Sequence, residues 1–167
     1  MPILPAWPIR DTLSLEQSLQ QKYLPGFQQG EQVIVLEWLR ESGARYDAFG
    51  FNVRVGAGVT PPEDAPEYAK RFVTKTTQKR IDVVALRPAG VALWEVKIQA
   101  NLGALGQMLG YKHLWERDFP SWPVLEFGIL CHLINLDTAA VFLKNGMPFH
   151  VFADIVLPPL VPLPPSA

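Results

Sequence analysis

The chain has little of what would place it in several common functional classes. Cys131 is the only cysteine among 167 residues, which excludes an intrachain disulfide framework, a four-cysteine zinc site and an iron–sulfur cluster held by one chain. No apolar run is long enough to span a bilayer. The N-terminus, MPILPAWPIR, has too short an apolar stretch and too many prolines to act as a signal peptide. Charge is nearly balanced at −1, whereas a protein that coats nucleic acid is usually basic. There is no internal repeat and no composition break that marks a second domain. A cytoplasmic setting is expected, in a bacterium or, for a viral protein, in the host cytoplasm or the virion.

What is present suffices for one core, since 49% of the residues are hydrophobic. The expectation is a single domain over 1–167, with an extended N-terminal arm (1–12) and a Pro-rich tail (156–167). The last ten residues hold five prolines, which favours extended polyproline geometry. Docking of that tail on its own domain or on a neighbouring chain would tie it to a homo-oligomer or a larger assembly.

The most informative stretch is 79–97, KRIDVVALRPAGVALWEVK. Arg87-Pro88-Ala89-Gly90 reads as a turn between two β-prone apolar runs. If the hairpin closes symmetrically, Leu86 faces Val91, Val84 faces Leu93, and Asp82 faces Glu95. Two carboxylates about 5 Å apart repel by roughly 3 kcal/mol at an effective dielectric near 20. Lys97 lies two residues beyond Glu95 and projects from the same side. The opposite face, Val83, Ala85, Ala92, Trp94 and Val96, is wholly apolar. A divalent cation would relieve the repulsion, because hard cations prefer carboxylate oxygens.

Helix signals surround this hairpin. One helix is expected from about Leu13, with Asp11 or Thr12 as cap and Pro25-Gly26 as its end. A second covers Gly30 to Ser42, with Ile34, Val35, Trp38 and Leu39 as its apolar face. Glu31 falls within that face. It either joins the acidic site or stays at an exposed first turn, where the helix dipole favours it. Arg45–Val59 reads as a strand whose glycines suggest a bulge or bend, and 67–77 as a short helix or flap. Residues 68–80 carry five Lys or Arg and no acid. After the hairpin, Asn101 can cap a helix to about Arg117 that places Gln107 and Tyr111 on one face. Gly103, Gly106 and Gly110 weaken that helix by about 1 kcal/mol each, which suggests that the sheet or a nucleic-acid backbone packs closely against it. Val124–Ile134 reads as a buried strand, Asp137–Lys144 as a short helix and Pro148–Ile155 as a last strand. Cys131 reads as core, and His113, His132 and His150 receive no role.

Asp82 followed by Glu95-Val96-Lys97 resembles the Asp…(Asp/Glu)-x-Lys core of the PD-(D/E)XK nuclease superfamily. Gln107 and Tyr111 on the next helix resemble the Gln-x3-Tyr motif of its recombination-type exonuclease branch. Lys79-Arg80 stand where many relatives carry glycine. The resemblance implies an α/β fold with a mixed central β-sheet flanked by helices, a restriction-endonuclease-like core. It also implies a metal-dependent deoxyribonuclease, exo- or endonucleolytic, that leaves 5′-phosphates. Asp82 and Glu95 would hold Mg²⁺ or Mn²⁺, with the Val96 carbonyl and Glu31 as further candidate ligands. Lys97 would orient water or stabilise charge on phosphorus, and Gln107 and Tyr111 would contact the backbone of DNA or support the site. Lys75, Lys79 and Arg80 are candidates for phosphate contacts along the entry path. The competing expectation is a non-catalytic nuclease-fold protein that binds DNA or serves assembly, for instance in a phage particle. In that case the acids and lysine form only a salt bridge at a sheet end.

Overall fold

A computed structural model describes residues 6–159. The extended geometry expected for residues 1–5 of the arm and 160–167 of the tail falls outside the described residues. Five strands form one mixed sheet in the order β1-β2-β3-β4-β5. They are β1 (Ala48–Val55), β2 (Lys79–Arg87), β3 (Gly90–Gln99), β4 (Val124–Leu133) and β5 (Phe149–Val151). The first three run antiparallel, and β3–β4 and β4–β5 are parallel. Helices α1 (Leu15–Gln20), α2 (Gln29–Ser42), α3 (Glu67–Thr77), α4 (Leu102–Asp118) and α5 (Leu136–Lys144) complete the fold. The mixed α/β architecture expected from the sequence is the one observed. Among the described residues no helix is long and apolar enough to cross a membrane.

Both faces of β2 and β3 are buried, by different helices. On one side Val83, Ala85, Ala92, Trp94 and Val96 pack with Ile34, Val35, Trp38 and Leu39 of α2. On the other, Val84, Leu86, Val91 and Leu93 pack with Ala104, Met108, Tyr111 and Trp115 of α4. The turn after β2 closes tightly, and a side chain at Gly90 (φ 148°) would strike the Pro123 carbonyl. Asn101 caps α4, accepting the Ala104 N–H at 3.2 Å, and Asn135 caps α5 through the Thr138 N–H at 2.7 Å.

Several boundaries differ from the sequence expectation. Helix α1 begins after Ser14, which forms a reciprocal capping box with Gln17, and it stops at Gln20. The chain cannot continue as helix because the Gln32 side chain takes the Leu24 N–H at 2.8 Å and donates to the Lys22 carbonyl at 2.9 Å. Strand β1 is shorter than Arg45–Val59, since Gly43–Arg45 form a 3₁₀ turn and Gly56 and Gly58 adopt positive φ beyond its end. The last strand contracts to Phe149–Val151. The N-terminal arm docks: Trp7 meets Trp122 with ring centroids 5.5 Å apart, and Leu13 bridges Phe49. At the other end Leu157 packs with the side of the core that holds Ile98.

Candidate active site

The β2–β3 hairpin has the register expected from its turn: Leu86 pairs with Val91, Ala85 with Ala92, Val84 with Leu93 and Val83 with Trp94. The ladder then stops, so Asp82 and Glu95 do not form the next backbone pair. On its other side Asp82 is passed over as well, because β1 pairs Phe51 with Val83 and Val53 with Ile81. The residue between them, Asn52, has φ 55°, a left-handed conformation that asparagine tolerates better than most residues. Asp82 therefore sits at a gap in both ladders. Its side chain uses the gap: Oδ2 accepts the Val96 N–H at 2.8 Å. This frees the acid pair from strict cross-strand register while keeping the two carboxylates adjacent.

Glu95 is only 2% exposed. Its Oε1 lies 2.6 Å from Lys97 Nζ, whereas Oε2 is buried and has no donor unless Asp82 keeps its proton. Burial, then the Glu95 charge, pushes Asp82 up to about 8, against the opposing Val96 amide bond and the Lys97 charge. Partial burial works against the Lys97 ammonium, but the Glu95 bond and the charges of Glu95, Asp82 and Glu31 outweigh it and raise its pKa. Tyr111 rises to about 12 through burial and the charges of Glu95 and Asp82. Gln107 Nε2 donates to the Tyr111 hydroxyl at 3.4 Å. Five of the expected residues thus converge: Asp82, Glu95, Lys97, Tyr111 and Gln107.

The donor set fits a divalent cation. With both acids ionised, the single lysine leaves the site one positive charge short, and the proton that Asp82 retains shows how costly that shortfall is. Two carboxylates suit a Mg²⁺ ion, which commonly keeps several waters. Among the described residues no third His, Cys, Asp or Glu joins them as a metal-holding cluster. Glu31 is instead at the third position of α2, where its carboxylate accepts the Gln28 N–H at 3.1 Å in a capping box. Its charge nevertheless reaches Lys97. Val96 presents its amide to Asp82.

The basic residues take different positions. Lys75 is exposed in the last turn of α3. Lys79 is exposed and lines a groove of about 280 Å³ with Gly106, Gln107, Gly110, Tyr111 and Leu114. Arg80 is exposed and stands opposite Arg54 of β1. Two like charges directly across a ladder repel, and an anion would relieve them. The sequence reading missed Arg54, because only the β1–β2 register brings it to Arg80. The glycines of α4 also behave unexpectedly: a Cβ at Gly106 or Gly110 would meet nothing within 4 Å. Their bare backbone faces the Lys79 groove rather than the sheet. A cavity of about 530 Å³ between α2 and 150–156 contains none of the site residues.

No protein-family model matches the chain, and no curated protein matches it. Among solved structures the chain is similar to a repair endonuclease from Pyrococcus abyssi, at 14% identity over 77% of this chain and 49% of that one, with a TM-score of 0.45. It is also similar to a structure described as an EndoMS–dsDNA2 complex, at 14% identity over 77% of this chain and 47% of that one, with a TM-score of 0.40. The chain spans about half the length of the structures it matches. Likeness of this degree bears on no residue of the site.

Proposed function

We propose that the protein is a metal-dependent deoxyribonuclease of PD-(D/E)XK type. The observation that carries this reading is the buried pair of adjacent carboxyl groups, Asp82 and Glu95, beside the Lys97 ammonium. Asp82 and Glu95 would hold Mg²⁺ or Mn²⁺. The Val96 carbonyl is a further candidate ligand, and Glu31 would first have to leave its bond to Gln28. When bound, the cation would supply Lewis acidity toward a phosphate oxygen.

The chain's own groups do the rest. Asp82 must release its proton before it can ligate, so cation affinity rises with pH. Lys97 stays charged at neutral pH, since its pKa is raised, and can donate to a phosphate oxygen where negative charge develops. Tyr111 remains a phenol. Gln107 donates to its oxygen, which leaves the phenolic proton free to bond a phosphate. Lys79, with Arg54 and Arg80, offers positive charge to the DNA backbone near the site. The setting we propose is the cytosol of a bacterium or of a phage-infected host.

One observation favours a second reading. The 2.6 Å Glu95–Lys97 contact is also what a purely structural ion pair would show, as in a non-catalytic DNA-binding or assembly protein. Incubation with linear and circular DNA, in Mg²⁺, Mn²⁺ or EDTA, separates the two. Degradation that needs metal and is abolished by Lys97→Ala is expected. Intact DNA under every condition favours the second reading.

A further inference from the structure

Helix α3 buries none of its residues, and it places two aromatic rings in water. Tyr68 is 78% exposed and Phe72 67%. Four residues apart, they share a face. Arg71 follows Tyr68 by three residues and Lys75 follows Phe72 by three, and both are exposed. The four side chains therefore form one stripe in which aromatic and cationic groups alternate. The side of α3 toward the protein is a different one. There Val59 donates its N–H to Thr77 Oγ1 at 2.7 Å, and Gly58 lies against the Thr74 carbonyl with no room for a Cβ. The stripe is thus free of the helix's own packing. Glu67, the only acid in α3, meets Arg71 at 3.7 Å with both side chains about three-quarters exposed, an arrangement of small net strength in water.

Alternation of rings and cations matches one kind of ligand. Aromatic side chains stack on unpaired bases of any sequence, and flanking cations meet the phosphates. A duplex keeps its bases stacked on one another and offers such rings little. A second copy of this chain would cover the rings but would bring the same acid-free basic segment against itself, so charge favours a polyanion. Position fits as well: α3 leads through Gln78 into Lys79, which lines the groove beside Gln107 and Tyr111.

We propose that the outer face of α3 is a binding site for single-stranded DNA. Tyr68 and Phe72 stack on bases, Arg71 and Lys75 hold the adjoining phosphates, and the strand passes Lys79 toward the acid pair. The destination of the strand rests on the nuclease reading, and the binding does not.

The test is fluorescence anisotropy with a labelled oligothymidylate and with a duplex of equal length, in EDTA so that nothing is cut. Wild type, Tyr68→Ala/Phe72→Ala and Arg71→Ala/Lys75→Ala are compared, with matching melting temperatures as the fold control. The wild type should bind the single strand more tightly than the duplex. The aromatic double variant should lose at least tenfold in single-strand affinity, about 1.4 kcal/mol, which is within the worth of one base–ring stack. Its duplex affinity should stay within about twofold. The cationic double variant should weaken both ligands and reduce the single-strand salt slope by about 1.4. Phe72→Trp should keep wild-type affinity. Unchanged single-strand binding by the aromatic variant overturns the proposal, as does an equal loss on both ligands. So does a dimer that this variant dissociates while single-strand affinity stays the same, which assigns the stripe to a second copy. Binding through the stripe by a protein that cuts no DNA with any metal would sink the nuclease reading and leave this one standing. Cleavage with an indifferent stripe does the reverse.

Discussion

Removing one charge from the acid pair should stabilise the protein by an amount that grows from about pH 4 to about pH 8. Asp82→Asn keeps the side chain's size and an oxygen for the Val96 N–H. It removes the carboxyl group that burial and Glu95 push up to about 8. Below about pH 4 that carboxyl is protonated in the folded and the unfolded chain alike, and wild type and variant should match. Between about 4 and 8 the unfolded chain has released the proton while the folded site still holds it, so wild-type stability falls by up to about 1.4 kcal/mol per pH unit. Above about 8 the folded site ionises too and the loss levels off. The whole window sets a ceiling of about 5–6 kcal/mol. Water entry and relaxation around the buried pair bring the expected difference to about 2–3 kcal/mol. At about 2–4 °C per kcal/mol for a chain of this size, Asp82→Asn should melt about 4–12 °C above wild type near pH 8.5 in EDTA. Near pH 4.5 the two should agree within about 2 °C. Mg²⁺ at a hundred times its dissociation constant should raise wild-type stability by about 2.7 kcal/mol and leave the variant unchanged. A gap of equal size at both pH values, or a wild type more stable than the variant at high pH, would refute the reasoning.

Three further outcomes follow from the same geometry. Lys97→Ala removes the 2.6 Å partner of a buried carboxylate and should cost about 1–3 kcal/mol by thermal melting, less than a fully buried pair because Lys97 is a quarter exposed. It should also lower DNA cleavage by at least about a hundredfold in a gel assay. Tyr111→Phe loses one 3.4 Å hydrogen bond and keeps the ring in the core, so urea unfolding should change by about 1 kcal/mol or less while cleavage drops about tenfold. Gly106→Ala and Gly110→Ala add a Cβ that meets nothing within 4 Å, and each should stabilise the fold by about 0.5–1 kcal/mol in urea. A loss of stability there would show that α4 has a close neighbour at these positions.

The parts of the fold legible in the sequence are those governed by local pattern. A Pro-Ala-Gly turn sets the hairpin register from Leu86–Val91 to Val83–Trp94. A 3.6-residue period sets the buried face of α2. The symmetric register ends one step later, where the Asp82 side chain takes the Val96 amide and the backbone ladder stops. The matching gap on the β1 side falls at Asn52, 30 positions from Asp82 in sequence, and no local pattern shows it. Arg54 was illegible for the same reason. Glu31 combines the two alternatives that the sequence left open: it caps α2 through the Gln28 N–H, and its charge also reaches Lys97. The glycines of α4 did signal close approach, yet within the described protein nothing approaches Gly106 or Gly110.

The central claim is tested most directly by titrating metal-free protein with Mn²⁺ at about pH 8 and following the free ion by electron paramagnetic resonance. The account predicts one bound ion per chain, with proton release on binding. Glu95→Gln and Asp82→Asn should each weaken it at least tenfold while the proteins stay folded. Undiminished binding by both variants, or no binding by the wild type, would contradict it.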